Sequence, residues 1–175
     1  MREYAIGVDL GGTNLRAAAI STEGKMLRKV SGATPVSAGR EAVTADIVQS
    51  IQALRQDLGE HSLAGVGVGI PGYILMEKGI VTGAPNLPSF VNYPIRDEIE
   101  AKLGARVILE NDANAAAIGE KWMGAGRGTD DLVMLTLGTV QRAPTEVRTG
   151  LSSRPGCFGR ETLSTAPDHC PEKGS

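Results

Sequence analysis

Two short stretches carry the residue types that phosphate and hydroxyl chemistry requires. The first is Asp9-Leu10-Gly11-Gly12-Thr13-Asn14. Gly11 and Gly12 have no Cβ, so the backbone there can take positive φ and approach a ligand closely. Thr13 and Asn14 add side-chain donors, and exposed N–H groups in such a turn form a small anion-binding concavity. Asp9 stands at its mouth, where a carboxylate can hold a metal ion that neutralises phosphate charge. A tight turn beside a surface acid is the plainer reading of so short a motif. The second stretch is Glu110-Asn111-Asp112-Ala113-Asn114. A carboxylate beside an amide can accept and donate hydrogen bonds to two adjacent hydroxyls. Asn111 or Asp112 could equally cap the alanine-rich helix that follows, and the two roles are compatible.

The elements that must position these residues follow from hydrophobic period. Ile6, Val8 and Leu10 alternate with Gly7, Asp9 and Gly11, and Leu15, Ala17 and Ala19 resume the alternation. That pattern predicts a β-hairpin with residues 10–14 at its tip. Residues 25–30 supply a third strand. Ile47, Ile51, Leu54 and Leu58 make one apolar stripe, which predicts a helix over 41–58 with Gly59 as its stop. Residues 63–70 alternate glycine with valine and isoleucine, a strand so poor in bulk that something must pack closely on it. It ends in Gly69-Ile70-Pro71-Gly72, a rigid turn at a strand's carboxyl end, where open α/β sheets bind ligands. Residues 79–94, centred on Ala84-Pro85-Asn86-Leu87-Pro88, read as an ordered loop. Pro94 opens a helix over 95–103, closed by Gly104. A buried strand over 106–109, a helix over 113–122, a turn over 124–128 and a strand over 132–137 complete the pattern. The order predicts an α/β domain with a mixed sheet and flanking helices.

Composition narrows the function classes. The chain has 175 residues, 41% of them hydrophobic, with 18 basic and 20 acidic side chains and a net charge of −2. No basic excess points to nucleic acid or to a membrane surface. No apolar run approaches the roughly 18 residues of a membrane span, and the N-terminus has no signal-peptide pattern. A cytoplasmic protein is expected. Cys157 and Cys170 lie near the C-terminus, so no disulfide framework shapes the fold. After Thr139 the texture changes: large apolar residues become sparse and lose any period, while proline, serine, threonine, arginine and glutamate dominate. Residues 140–175 are expected to be disordered, either as a natural tail or as an out-of-frame continuation of a fold that stops mid-strand.

Taken together, Asp9–Asn14, Gly69–Gly72, Ala84–Pro88, Glu110–Ala115 and Leu135-Thr136-Leu137-Gly138-Thr139 resemble the motifs of the ROK family of sugar kinases, and its bacterial glucokinases in particular. The resemblance covers residues 1–139, five motifs in order. It implies an actin-like ATPase/hexokinase (ribonuclease H-like) fold, of which this would be the N-terminal lobe. It implies ATP, Mg²⁺ and a hexose, most simply glucose converted to glucose 6-phosphate. By the same resemblance Asp9, Gly11, Gly12, Thr13 and Asn14 cradle the ATP phosphates, with Asp9 near the metal. Gly138 and Thr139 form a second phosphate loop. Gly72, Asn86, Asn111 and Asp112 line the sugar pocket, and Asp112 is the general base. The chain departs from the family after Thr139, where Val140-Gln141-Arg142-Ala143-Pro144 replaces a glycine-rich segment. By the same resemblance, the family's second domain, with its zinc site, is expected to be missing from this chain. Cys157, His169 and Cys170 do not supply a zinc ligand set. With the first strand starting near Tyr4, no DNA-binding domain is expected ahead of the lobe. The sequence thus predicts little turnover by this chain alone. The alternatives are an inactive fragment that retains sugar or phosphate binding, and a sugar-sensing module. An exposed edge at residues 132–137 predicts self-association.

Overall fold

The computed structural model describes residues 3–136 and the backbone of residues 147–148. The alternation in the first twenty residues becomes two strands, β1 (Glu3–Leu10) and β2 (Asn14–Ser21), joined by the glycine turn. Ile6, Val8, Leu10, Leu15, Ala17 and Ala19 are buried on one face. β3 (Met26–Ala33) pairs antiparallel with β2, and α1 (Arg40–Asp57) follows. β4 (Ser62–Ile70) lies parallel to β1, and β7 (Val107–Asn111) lies parallel to β4. The result is a five-stranded mixed sheet in the order β3-β2-β1-β4-β7.

One face of this sheet is the core. Val66 and Val68 pair with Val107 and Leu109 and continue the apolar surface begun by β1 and β2. Against it pack α1, through Val43, Ile47, Ile51 and Leu54, and α2 (Ile95–Leu103), through Ile95, Ile99 and Leu103. Burying a side chain of this size contributes about 1.5–3 kcal/mol, so this interface carries most of the fold's stability. Gly104, in the left-handed region at φ 59°, ends α2 and donates its N–H to the Glu100 carbonyl. The other face carries α3 (Asp112–Met123), seated over β4 and β7. No helix among the described residues is long and apolar enough to cross a membrane.

The sequence pattern and the structure differ in three places. The segment read as an ordered loop contains part of a hairpin, β5 (Tyr73–Leu75) with β6 (Ile80–Gly83), followed by a single 3₁₀ turn at Pro88–Phe90. The strand expected over 132–137 is only β8 (Val133–Met134), outside the main sheet and paired instead with β9 (Val147–Arg148). Leu137 and the rest of residues 138–175, including Gly138, Thr139, Cys157, His169 and Cys170, lie outside the described residues, apart from the β9 backbone. Gly11 and Gly12 do not take positive φ. Their lack of a side chain is used for close approach, since a Cβ on Gly11 would lie 3.1 Å from the Asn14 carbonyl oxygen.

Gly72 is the sharpest backbone requirement. Its φ is +127°, and a Cβ there would overlap the Gly83 carbonyl oxygen and come within 2.9 Å of the Ala84 Cα. Gly67, five residues earlier on β4, has nothing within 4 Å of the same point. Gly72→Ala is therefore expected to destabilise the domain by about 2–4 kcal/mol, combining backbone strain with a backbone clash. Gly67→Ala should change stability by less than about 1 kcal/mol. Chemical denaturation of the two variants checks this, and equal effects would contradict it.

Candidate functional site

The parallel strands β1, β4 and β7 end at the same edge of the sheet, so their exit residues are delivered to one place. The register makes this explicit. Ser31, Arg16, Asp9, Gly69 and Glu110 stand in one row straight across the five strands. On the open face behind that row is a trough of about 590 Å³, lined among others by Asp9, Arg16, Gly67, Gly69, Glu110 and Ala115.

Within the row, where β1 and β2 carry Asp9 and Arg16, is the glycine turn. The Gly11 N–H donates to the Asn14 carbonyl at 2.8 Å and closes it. Asp9 is exposed, and its Oδ2 lies 3.6 Å from Arg16 Nη1, which is also exposed. A solvent-exposed pair of this kind contributes about 0–1 kcal/mol, so Asp9 can exchange Arg16 for another cation at little cost. Mg²⁺ ordinarily takes one or two carboxylates and completes its shell with phosphate oxygens and waters. The single carboxylate of Asp9 fits that requirement. Among the described residues no three His, Cys, Asp or Glu side chains group as a metal cluster.

At the β7 end of the row is the junction of β7 and α3. Asn111, not Asp112, is the helix cap: its Oδ1 accepts from the N–H groups of Ala113 (3.0 Å) and Asn114 (3.2 Å). Its Nδ2 donates to the Gly72 carbonyl at 3.0 Å. Both lone pairs of Oδ1 are thus engaged, and one Nδ2 hydrogen remains for a hydroxyl. Asp112 occupies the first turn, half-buried, with Oδ1 accepting from the Ala113 N–H at 2.9 Å. A carboxylate at a helix N-terminus is electrostatically favourable. Glu110 braces the junction, its Oε1 accepting from the Asn111 N–H (2.9 Å) and from Asn114 Nδ2 (3.1 Å).

Close backbone approaches tie the two ends together. A Cβ on Gly69 would lie 3.5 Å from the Asp112 Cα and 3.6 Å from the Val8 carbonyl oxygen, so β4 is the spacer between the glycine turn and the helix. A Cβ on Gly12 would lie 3.1 Å from Asn86 Cβ, so the 84–88 loop abuts the glycine turn. Asn86 itself is exposed, while Ala84 and Leu87 on either side are buried and anchor it. Asp9, Gly11, Gly12, Thr13, Asn14, Gly72, Asn86, Asn111 and Asp112 therefore gather at one edge of the sheet. The trough reaches Asp9 but is not lined by Gly72, Asn86, Asn111 or Asp112. Gly138 and Thr139 lie outside the described residues. Sequence reasoning missed Arg16, whose position opposite Asp9 follows only from strand register, and Thr34, which contacts Gly11 in the turn from 23 residues away.

Comparison with known proteins places this edge in context. The ROK family model matches residues 5–140. A glucokinase from Thermotoga maritima is 49% identical over 134 residues, covering 77% of this chain and 41% of that protein. The ROK family glucokinase of Streptomyces griseus, solved in complex with glucose and AMPPNP, superposes with a TM-score of 0.71 at 38% identity, covering 78% of this chain and 42% of that one. A ROK hexokinase from Thermus thermophilus gives a TM-score of 0.69 at 34% identity, with 77% and 43% covered. The chain thus spans about two-fifths of the length of these relatives, and what it shares with them is the N-terminal part of an actin-like ATPase fold. A match running through every described strand of the main sheet leaves one conclusion: this chain belongs to the ROK family.

Proposed function

We propose that this chain is the sugar-binding and phosphate-cradling lobe of an ATP-dependent hexose kinase that converts glucose to glucose 6-phosphate. The observation that supports it most is the meeting of the glycine turn, the Gly72 and Asn86 loops and Asp112 at one sheet edge. Phosphoryl transfer asks a protein mainly for positioning and charge neutralisation, plus one carboxylate to accept the hydroxyl proton. Asp112 is suited to that last role: one oxygen is fixed by the Ala113 N–H, which orients the other. Asn111 donates its remaining amide hydrogen to a neighbouring sugar hydroxyl, and Gly72 and Asn86 shape the pocket. Asp9 would hold Mg²⁺, the turn at residues 11–14 would receive the phosphates, and Gly138 and Thr139 would extend that cradle. Magnesium supplies charge neutralisation on the transferring phosphoryl group. Residues 1–139 form this lobe, and the reaction belongs to the cytoplasm.

Transfer in line requires the sugar hydroxyl and the γ-phosphate to be enclosed together and water excluded. One lobe cannot close on itself. The 175-residue chain is therefore expected to bind glucose saturably, to lose that binding on Asp112→Ala, and to show no ATP-dependent turnover above background. Calorimetric titration with glucose and a coupled ADP-release assay check the two halves. Absence of glucose binding would contradict the sugar-pocket reading. Turnover that disappears in Asp112→Asn would show instead that the lobe is sufficient for catalysis.

The same lobe exposes apolar surface beyond the sheet. Val133 and Leu135 are 65% and 63% exposed, and Trp122 on α3 is half exposed. Such surface favours association of copies. Sedimentation is expected to show a mass that rises with concentration, and a monomer at high concentration would contradict this.

A further inference from the structure

Thr34 lies in the connection between β3 and α1 and is buried, with every backbone and side-chain polar group engaged. Its hydroxyl donates to the Gly11 carbonyl at 2.8 Å, and its own N–H donates to the Thr13 carbonyl at 2.9 Å. Its carbonyl accepts from the Val36 N–H at 2.9 Å across Pro35, whose φ of −80° and ψ of 56° make an inverse γ-turn. Pro35 also confines Thr34 to extended backbone. The residue is therefore a rigid bracket with two donors aimed at two carbonyls of one turn.

The consequence for that turn follows from peptide planarity. All described peptide bonds are trans, and in a trans peptide the carbonyl and the N–H of the next residue point in opposite directions. Drawing the Gly11 and Thr13 carbonyls toward Thr34 turns the N–H groups of Gly12 and Asn14 away from it. An anion cradle needs that polarity, with N–H groups forward and carbonyl oxygens held back. Gly12 abuts Asn86 on its Cα side, so the turn is fixed from two directions. We propose that Thr34 is the positioning residue of the phosphate turn, setting the direction of the Gly12 and Asn14 N–H groups toward a nucleotide phosphate. This rests on reading residues 11–14 as a phosphate cradle.

The test is a titration of the ¹⁵N-labelled 175-residue chain with Mg·ATP, read at each amide, for wild type, Thr34→Val, Thr34→Ser and Thr34→Ala. In wild type the Gly12 and Asn14 amides shift on binding. Loss of the hydroxyl in Thr34→Val is expected to weaken Mg·ATP about fivefold, the effect of one hydrogen bond, and to shrink the Gly12 shift. The amides of Val66 and Val68 in β4 stay in place. Thr34→Ser restores wild-type binding. If Thr34→Val does not fold, Ser and Ala differ only in the hydroxyl and make the same comparison, with Ala the weaker binder. Variants without the hydroxyl that bind as tightly as wild type overturn the role of Thr34 and leave the phosphate reading intact. A wild-type chain whose turn amides do not respond to Mg·ATP overturns the phosphate reading and this role with it.

Discussion

The side chain of Asn111 holds the candidate site in register. One primary amide is shared between two elements: its oxygen caps α3 and its nitrogen holds the turn after β4. A cap of this kind contributes about 1 kcal/mol, yet its geometric effect is larger than its energy. Asp112 is the next residue, so the cap fixes where that carboxylate begins its helix. The Gly72 carbonyl is held at the same time, and Gly72 is itself wedged beneath Gly83 and Ala84. Helix start, β4 turn and the loop leading to Asn86 thus form one connected frame. Removing the amide would loosen all three.

That frame stands on a division of labour between the two faces of the sheet. The face under α1 and α2 carries the large aliphatic side chains and supplies the stability. The opposite face is thinned at Gly7, Gly67 and Gly69, which lets β4 serve as a narrow spacer between the glycine turn and α3. A β-branched residue at position 69 would press on the Asp112 backbone and the β1 carbonyl at once. The separation of the glycine turn from the start of α3 is therefore set by one strand's width, roughly 4.8 Å on either side of β4. Charged side chains stand on both sides of it: Arg16 and Asp9 beside the glycine turn, Glu110 and Asp112 at the start of α3.

Much of this was legible in the sequence because glycine and proline punctuate it. Ile6, Val8 and Leu10 give the strand period, Pro94 and Gly104 bracket α2 at the residues observed, and Gly69 to Gly72 mark a strand end. What was not legible has physical causes. β3 extends to Ala33, yet its residues are half or fully exposed, so pairing with β2 specifies it and no apolar alternation announces it. The β5–β6 hairpin has strands of three and four residues, too short for a period to develop. The choice between Asn111 and Asp112 as cap depends on where β7 stops pairing, and β7 runs two residues further than its apolar run. Thr34 reads as an ordinary loop residue in Ala-Thr-Pro, and only the folded chain brings it to the glycine turn. The site motifs could be recognised together as a family pattern, while the contacts that join them could not.

The measurement that bears most directly on this account is a crystal structure of the chain with glucose, Mg²⁺ and a non-hydrolysable ATP analogue. The account predicts a sugar hydroxyl within about 2.6–3.2 Å of an Asp112 carboxylate oxygen. It also predicts the analogue's phosphates against the N–H groups of the turn at residues 11–14. A sugar bound away from Asp112, or phosphates lodged in the open-face trough with the turn untouched, would contradict it.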